Sequence, residues 1–257
     1  MGNEDVGRFY ERTGKSQAAA EAYSRMRQDV STMKHIMEST RLLAEVSVER
    51  RNWSEVVTQA SKALTMRDYE EEKATRPSLQ VLVGIGLLGQ GKYEEAAETF
   101  LGIEPTATYD WIASSSDVAL YGGLLALATM DRVTLQKSTL ENSRFRSFLE
   151  HEPTVRKSIS LFINGRYSLC LKNLEPIRPD LLLDIHMQKH AETIFRLIRR
   201  KCIVQYFTPF SCVTIKTLEK EFSSRKPLDK ELIKMIRAGE LDARIDAKAG
   251  VWLPPPF

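Results

Sequence analysis

Apolar residues recur at helical spacing along the first two thirds of the chain, and one pattern interrupts them at regular intervals. In three places a Gly is followed by a small residue five positions later and by a large, mainly apolar residue nine positions later. These copies are Gly14 with Ala19 and Tyr23, Gly91 with Ala96 and Phe100, and Gly165 with Cys170 and Leu174. A fourth copy, Arg51 with Val56 and Ala60, keeps the spacing without the Gly. The copies start 37, 40 and 74 residues apart, and 74 is twice 37, so the interval is that of a helical-hairpin repeat.

Each copy predicts a turn between two neighbouring helices. Gly adopts the left-handed conformation that ends the first helix, and the small residue five positions later lets the second helix lie close to the first. Because one hairpin cannot bury its apolar face alone, successive hairpins stack into a curved array. We therefore predict a mostly α fold that begins with a TPR-like helical-repeat solenoid over residues 1–176. Such a solenoid offers an extended binding surface rather than a pocket.

Several interruptions divide this first part of the chain into helices. Breaks are predicted at Arg76-Pro77, in a loop from Ile103 to Tyr109, and at Glu152-Pro153. The apolar run from Val118 to Met130 is too short to span a bilayer, so we expect a buried helix there and no membrane partner.

The pattern changes near the prolines at positions 176 and 179. A long helix is predicted from near Ile185 to just before Thr208-Pro209, and a short one from about Val213 to Phe222. The long helix is expected to bury Ala191, Ile194, Phe195, Ile198 and Cys202. A third helix, with Asp229 as its N-cap and Gly239 as its C-terminal stop, is expected to bury Leu232, Ile233 and Ile236.

After the third helix the apolar period changes from 3.6 to 2. Leu241, Ala243, Ile245 and Ala247 alternate with charged residues, which is typical of a strand. Lys248-Ala249-Gly250 then turns the chain into a second strand, Val251–Leu253. Three helices followed by a small β-hairpin indicate a winged helix over residues 177–257.

Composition excludes few classes of protein. The chain has 257 residues, 42% of them hydrophobic, and a net charge of +3, which indicates neither a nucleic-acid footprint nor an anionic membrane surface. The three cysteines, Cys170, Cys202 and Cys212, are too few and too scattered for a disulfide framework or a zinc knuckle. They indicate a reducing compartment, so we expect the protein in the nucleus and cytoplasm.

Two motifs resemble enzyme signatures but are better explained otherwise. His186 and His190 have the i, i+4 spacing of a zinc metalloprotease, but Met187 stands where the general base is required, so ordinary surface histidines are favoured. The glycines at 84, 86 and 89 match a dinucleotide-binding fingerprint, yet no strand precedes them. Close helix packing explains them better. We predict no catalytic, cofactor or metal site and no enzymatic activity.

A winged helix also raises the question of nucleic-acid binding, because its third helix can enter the major groove. That helix carries Lys230, Lys234 and Arg237, but Asp229, Glu231 and Glu240 dilute the charge. The basic run of Arg196 and Arg199-Arg200-Lys201 on the preceding helix is interpreted as a solvated face. We therefore expect no nucleic-acid partner and keep nucleic-acid binding as an alternative.

Helical repeats that run directly into a winged helix form the architecture of the PCI-domain family, and four motifs resemble its COP9 signalosome subunit 1 branch. They are Asn52-Trp53-Ser54, the stretches Tyr121–Arg132 and Phe148–Arg156, and Gln205–Phe210. The paralogous proteasome-lid subunit resembles the chain over the same region but lacks Gly122-Gly123 and the following Ala-Leu-Ala run in that form. The resemblance extends from about Gly7 to Trp252. Members of this branch usually have a longer N-terminal region, and they continue past the hairpin into C-terminal bundle helices, whereas this sequence stops at Phe257.

The resemblance implies a non-catalytic scaffold in a complex that removes the modifier Nedd8 from cullins through a different subunit. The partners it implies are other PCI subunits of the COP9 signalosome and components of cullin-RING ligases. A scaffold of the proteasome lid or of a translation initiation factor is the alternative. An exposed solenoid end and strand edge also make self-association of the isolated chain plausible.

The β-hairpin is the element that we expect to contact a neighbouring subunit. In the family, winged helices pack side by side, and the unpaired backbone groups of an edge strand favour strand addition. The predicted interface consists of Leu241, Ala243, Arg244, Ile245, Val251, Trp252 and Leu253. The competing interpretation for Leu241, Ile245 and Trp252 is that they cover the core of the winged helix itself.

Overall fold

The computed structural model describes residues 2–29, 33–65, 69–105, 112–210, 212–222, 228–246 and 251–253. Helices dominate these ranges. They are α1 (Asn3–Arg12), α2 (Ser16–Asp29), α3 (Met33–Glu49), α4 (Trp53–Thr65), α5 (Tyr69–Gly89), α6 (Tyr93–Leu101), α7 (Ser115–Thr129), α8 (Arg132–Leu135), α9 (Ser143–Phe148), α10 (Pro153–Ile163), α11 (Tyr167–Leu174), α12 (Arg178–Leu183), α13 (Ala191–Phe207), α14 (Ile215–Phe222) and α15 (Leu228–Arg237). A π-helical turn (Gln136–Leu140) follows α8, and a 3-10 turn (Glu175–Ile177) precedes α12. The strands are β1 (Val213–Thr214), β2 (Arg244–Asp246) and β3 (Val251–Leu253).

Each predicted repeat turn is a left-handed residue between two helices. Gly14, Gly91 and Gly165 have φ of +71°, +77° and +73° and connect α1 to α2, α5 to α6, and α10 to α11. After each Gly, the next backbone N–H donates to the carbonyl five residues earlier, as from Lys92 to Leu87 at 3.0 Å. Arg51 adopts φ +54° between α3 and α4 and makes the same bonds. The repeat prediction is therefore confirmed turn by turn.

The residues five and nine positions after the start of each repeat copy lie between the packed helices. All eight side chains have no solvent exposure: Ala19, Tyr23, Val56, Ala60, Ala96, Phe100, Cys170 and Leu174. The helices of each hairpin pack on each other, and α2 also packs on α3, α4 on α5 and α6 on α7, so the solenoid is continuous from α1 to α7.

Glycines allow α5 and α7 to approach their neighbours closely. A Cβ at Gly89 would lie 2.3 Å from the ring of Trp53, and one at Gly84 would lie 2.7 Å from the ring of Phe100. In α7, which is buried as predicted, a Cβ at Gly123 would lie 2.4 Å from Cγ1 of Val155. Because neither glycine of α5 follows a strand, these residues serve helix packing rather than phosphate binding.

The predicted break at Arg76-Pro77 is wrong, because α5 continues through Pro77. A proline inside a helix costs about 3 kcal/mol through its missing N–H and its ring. Pro77, Ser78 and Leu79 are buried, so packing of this helix against α4 and α6 outweighs the cost. The break at Glu152-Pro153 is confirmed, with Pro153 as the first residue of α10. Residues 106–109 of the predicted loop lie outside the described ranges.

The long helix α13 buries every residue that was predicted to be buried, but it begins at Ala191 rather than near Ile185. Asp184 explains the later start. Its Oδ1 accepts hydrogen bonds from the backbone N–H groups of His186 at 2.8 Å and Met187 at 2.6 Å, and this holds the following residues in turns.

The remaining winged-helix elements differ from the prediction at their boundaries. Val213 and Thr214 form β1 instead of the first turn of a helix, because they pair with β3. Helix α15 begins at Leu228, so Asp229 lies in its first turn and is not the N-cap. Its core face runs through Leu228, Leu232 and Met235, which leaves Ile233 and Ile236 half-buried. Gly239 has φ +71° and stops the helix as predicted.

One hydrophobic core connects the solenoid to the winged helix. It extends without a gap from Ala44 in α3 to Ala243 beside β2, and α13 packs on both α7 and α11. A smaller core lies between α2 and α3. The two predicted regions, residues 1–176 and 177–257, therefore share one core.

Candidate subunit interface

The sheet of the winged helix determines which backbone groups can reach a partner. Its three antiparallel strands have the order β1-β3-β2. On one side of β3, Val213 lies opposite Trp252, and on the other side Ile245 lies opposite Trp252. We expected a two-stranded hairpin with an edge on each strand, but β1 covers one side of β3. Among the described strands, the free edges therefore belong to β1 and β2.

The predicted interface residues divide into three groups in the structure. Leu241 and Ala243 have only 4% and 6% of their surface exposed and belong to the chain's own core. Arg244 is exposed and begins β2, and Ile245 follows it on the same outer strand. Residues 251–253 form the central strand, so their backbone is not at an edge. The side chains of residues 245 and 251–253, the residue Ala247 and the turn at 248–250 lie outside the described part of the chain.

Two arginines of the basic run on α13 bind this helix to the later elements of the winged helix. The Nε of Arg199 donates to both carboxylate oxygens of Glu231 at 3.0 and 3.1 Å, and its Nη2 donates to the carbonyl of Phe222 at 2.7 Å. The Nη1 of Arg200 donates to Oε1 of Glu240 at 2.6 Å. The interpretation of this run as a solvated face is therefore wrong for Arg199 and Arg200. Their acidic partners lie 32 and 40 residues away in the sequence, so helical spacing could not reveal the pairs.

Lys201 joins α13 to α7 of the first part of the chain. Its ammonium donates to the carbonyl oxygen of Leu127 at 2.8 Å and also to that of Met130, and it lies 4.9 Å from the ring centroid of Phe162. These carbonyls lie at the C-terminal end of α7, where a cation is electrostatically favoured. Burial lowers the pKa of Lys201 to about 8. Helix α13 thus holds the sheet in a fixed position relative to the solenoid.

The turn before α13 is fixed by hydrogen bonds to the solenoid. The hydroxyl of Tyr121 donates to Oδ2 of Asp184 at 2.6 Å, and the hydroxyl of Tyr93 lies 3.0 Å from Nδ1 of His190. The ring of His186 packs edge-on against Tyr121. Burial lowers the pKa of both histidines and raises the pKa of Tyr121. The histidine pair therefore lies in a structural contact rather than on the exposed face of a helix.

The described residues contain neither a metal-binding group of side chains nor a helix that could cross a membrane. No group of three or more His, Cys, Asp or Glu side chains in these ranges could hold a metal ion. In the same ranges, no helix is long and apolar enough to cross a membrane.

Two family models match separate parts of the chain. The sequence model of a family described as 26S proteasome subunit RPN7 matches residues 1–138. The model of the PCI domain matches residues 171–252, which contain the winged helix. The first match covers more than half of the chain.

Proteins named COP9 signalosome complex subunit 1 are similar to the chain over nearly all of its length. The Neurospora crassa protein is 44% identical over 96% of the chain and 59% of its own length. The Emericella nidulans protein is 40% identical over 98% of the chain and 53% of its own length. The Arabidopsis thaliana protein is 35% identical over 96% and 56%. The chain therefore spans a little more than half the length of these relatives.

Proposed function

This chain belongs to the family described as 26S proteasome subunit RPN7, and we propose that it is a non-catalytic scaffold subunit of the COP9 signalosome. Its similarity to proteins named COP9 signalosome complex subunit 1, at 35–44% identity in the three cases above, supports this branch of the family. Two relatives named as 26S proteasome non-ATPase regulatory subunit 6 are more distant, at 20% and 24% identity.

The observation that supports the scaffold role most directly is the free outer edge of β2. The backbone N–H and C=O groups on the outer side of β2 face away from β3 and meet no described strand, so a strand from a neighbouring subunit can continue the sheet. The exposed Arg244 begins this edge. The ion pairs of Arg199 and Arg200 hold α15 and Glu240 on α13, and α13 packs on α7 and α11 of the first part of the chain.

In this proposal the chain organises its neighbours and carries no reactive group of its own. The removal of Nedd8 from cullins is assigned to another subunit of the complex, and the helical repeats help to engage the cullin-RING ligase. The rival assignment is a scaffold of the proteasome lid or of a translation initiation factor. It predicts a different set of neighbours for the same sheet edge.

The edge can be tested with a pair of proline variants. Along a strand, successive N–H groups point to opposite sides, so Arg244→Pro and Ile245→Pro remove donors from opposite edges of β2. One variant loses a bond to β3 and is destabilised, whereas the other loses a donor only on the free edge. Incorporation into a complex reconstituted with recombinant COP9 signalosome subunits would be measured by native mass spectrometry, with Arg244→Gln as the side-chain control.

We expect the proline variant with near-native thermal stability to be incorporated at least about tenfold less than the wild type, because backbone bonds give strand addition its affinity. Arg244→Gln should be incorporated normally. Full incorporation of the stable proline variant would contradict the role of this edge. Failure of the wild type to join any subunit would contradict the proposed function itself.

We also propose that the protein acts in the nucleus and cytoplasm. Its cysteines support a reducing compartment, because Cys170 and Cys202 are buried as free thiols and Cys212 is exposed as a free thiol. Imaging of the chain with a fluorescent tag in living cells tests this. Signal confined to the secretory pathway would contradict the proposal.

A further inference from the structure

The outward face of α15 carries a stripe of three exposed cations. Lys230, Lys234 and Arg237 have the spacing i, i+4, i+7, so they project within about 60° of one another around the helix axis. The opposite face is the one that packs into the core, through Leu228, Leu232 and Met235. We call these three cations the α15 stripe.

Two of the acidic residues that dilute this charge in the sequence form ion pairs with another helix in the structure. Glu231 is paired with Arg199 at 3.0 Å, and Glu240 is paired with Arg200 at 2.6 Å. Both partners belong to α13, so these carboxylates are turned toward the protein. Within the described residues, none of the three cations of the α15 stripe forms an ion pair, and Asp229 is the one exposed acid left on this helix.

Apolar surface borders the stripe on one side. Ile233 and Ile236 are half-buried, and Ile233 lies three residues after Lys230 and four before Arg237, which makes it their neighbour on the helix surface. The exposed surface of α15 therefore combines the three cations of the α15 stripe with two partly exposed isoleucine side chains.

We propose that the α15 stripe binds an acidic amphipathic helix of a partner protein. A helix with carboxylates at i, i+4 and i+7 places them at the same intervals, about 6 and 10 Å along its axis, as the cations of the stripe. Apolar residues beside those carboxylates would contact Ile233 and Ile236. This surface consists of other residues than the β2 edge, so it stands or falls independently of the proposed function.

A protein helix fits the stripe better than a nucleic acid does. Three cations over about 10 Å can neutralise only a few phosphates, whereas firm duplex binding uses about six to ten contacts. The two isoleucines offer nothing to a phosphate backbone but match the apolar side of a helix.

The test uses a designed probe and the full chain. The probe is a fluorescein-labelled helical peptide of about 16 residues with Glu at i, i+4 and i+7 and Leu at the adjacent positions, and its binding is followed by fluorescence anisotropy. We expect Lys230→Glu, Lys234→Glu and Arg237→Glu together to weaken binding at least about tenfold. A second peptide with Lys in place of the three Glu should bind this reversed variant and not the wild type.

The matched control changes the same amount of charge elsewhere. Lys137→Glu, Lys157→Glu and Lys172→Glu alter three exposed lysines outside the winged helix, and binding of the acidic peptide should stay within about twofold of the wild type. Circular dichroism checks that both triple variants keep their helical content. Equal weakening by both triple variants, or no binding of the acidic peptide to the wild type, would overturn the proposal. Tighter, salt-sensitive binding of duplex DNA at the same three residues would also overturn it, in favour of a nucleic acid.

Discussion

The ammonium of Lys201 offers a quantitative test of how the winged helix is joined to the solenoid. Burial lowers its pKa from 10.5 to about 8 in the folded protein, while in the unfolded chain it is in water and keeps the ordinary value. Between about pH 8 and pH 10.5 the folded protein has lost this proton and the unfolded chain still holds it. The free energy of unfolding contributed by this group therefore rises with pH through that window.

The size of the effect follows from the two pKa values. Their difference of about 2.5 corresponds to about 3 kcal/mol when the whole window is crossed. Between pH 7.5 and pH 10, which is accessible in solution, the part that is realised is about 2 kcal/mol. Lys201→Met has no proton to release, so this contribution disappears from the variant.

The assay is urea unfolding of the wild type and Lys201→Met at pH 7.5 and at pH 10. Other titrating groups are common to both proteins, so they cancel in the difference between the two free energies of unfolding. That difference should move in favour of the wild type by about 2 kcal/mol at the higher pH. Lys157→Met, which changes an exposed lysine, is the control and should show no such movement. A difference that stays constant from pH 7.5 to pH 10 would refute a buried ammonium at this junction.

Three further predictions concern the solenoid. Gly123→Val should lower the free energy of unfolding by about 2–3 kcal/mol, because its Cβ would overlap Val155. Gly102→Ala should change this free energy little, because nothing lies closer than 3.5 Å to the added Cβ. Equal melting temperatures for the two variants would contradict this prediction. Arg51→Gly should raise the free energy of unfolding by up to about 1 kcal/mol by relieving the strain at φ +54°, and a lower melting temperature would argue against that strain. Burial raises the pKa of Glu45 from 4.5 to about 7, so the folded state holds this proton more tightly and stability is lost as pH rises from about 4.5 through 7. Glu45→Gln should remove about 3 kcal/mol of that pH dependence in urea unfolding, and parallel pH profiles for the variant and the wild type would exclude it.

The helical repeats could be predicted from the sequence because their determinants are local. A left-handed Gly, a small residue five positions later and an apolar one nine positions later lie within a single hairpin. The same reasoning placed the turn at Arg51, where spacing alone indicated it, and the structure gives that residue a positive φ. The buried face of α13 was predicted for the same reason, since helical periodicity depends on neighbours three and four residues apart.

What could not be predicted depends on distant residues. The strand β1 forms because Val213 and Thr214 pair with residues 252 and 251. Helix α13 starts late because Asp184 accepts hydrogen bonds from two backbone N–H groups. Asp184 is itself hydrogen-bonded to the hydroxyl of Tyr121, which lies 63 residues earlier in the sequence. The β-branched pair Val213-Thr214 was a signal for a strand, but its length of two residues gave no periodicity to measure.

The candidate site was predicted only in part for the same reason. Alternation separated Leu241 and Ala243 from Arg244, and the structure buries the first two and exposes the third, although all three were predicted to lie at the interface. It could not show that β3 is the central strand, or that Arg199 and Arg200 neutralise two carboxylates of the winged helix. Strand order and ion pairs between elements are properties of the assembled fold.

The most direct test of the scaffold assignment is affinity purification of the tagged chain from extract of its own organism, with quantitative mass spectrometry of the proteins that accompany it. A scaffold subunit of the COP9 signalosome should enrich the other subunits of this complex over an extract that contains the tag alone. Enrichment of proteasome-lid or initiation-factor subunits in their place would contradict this assignment.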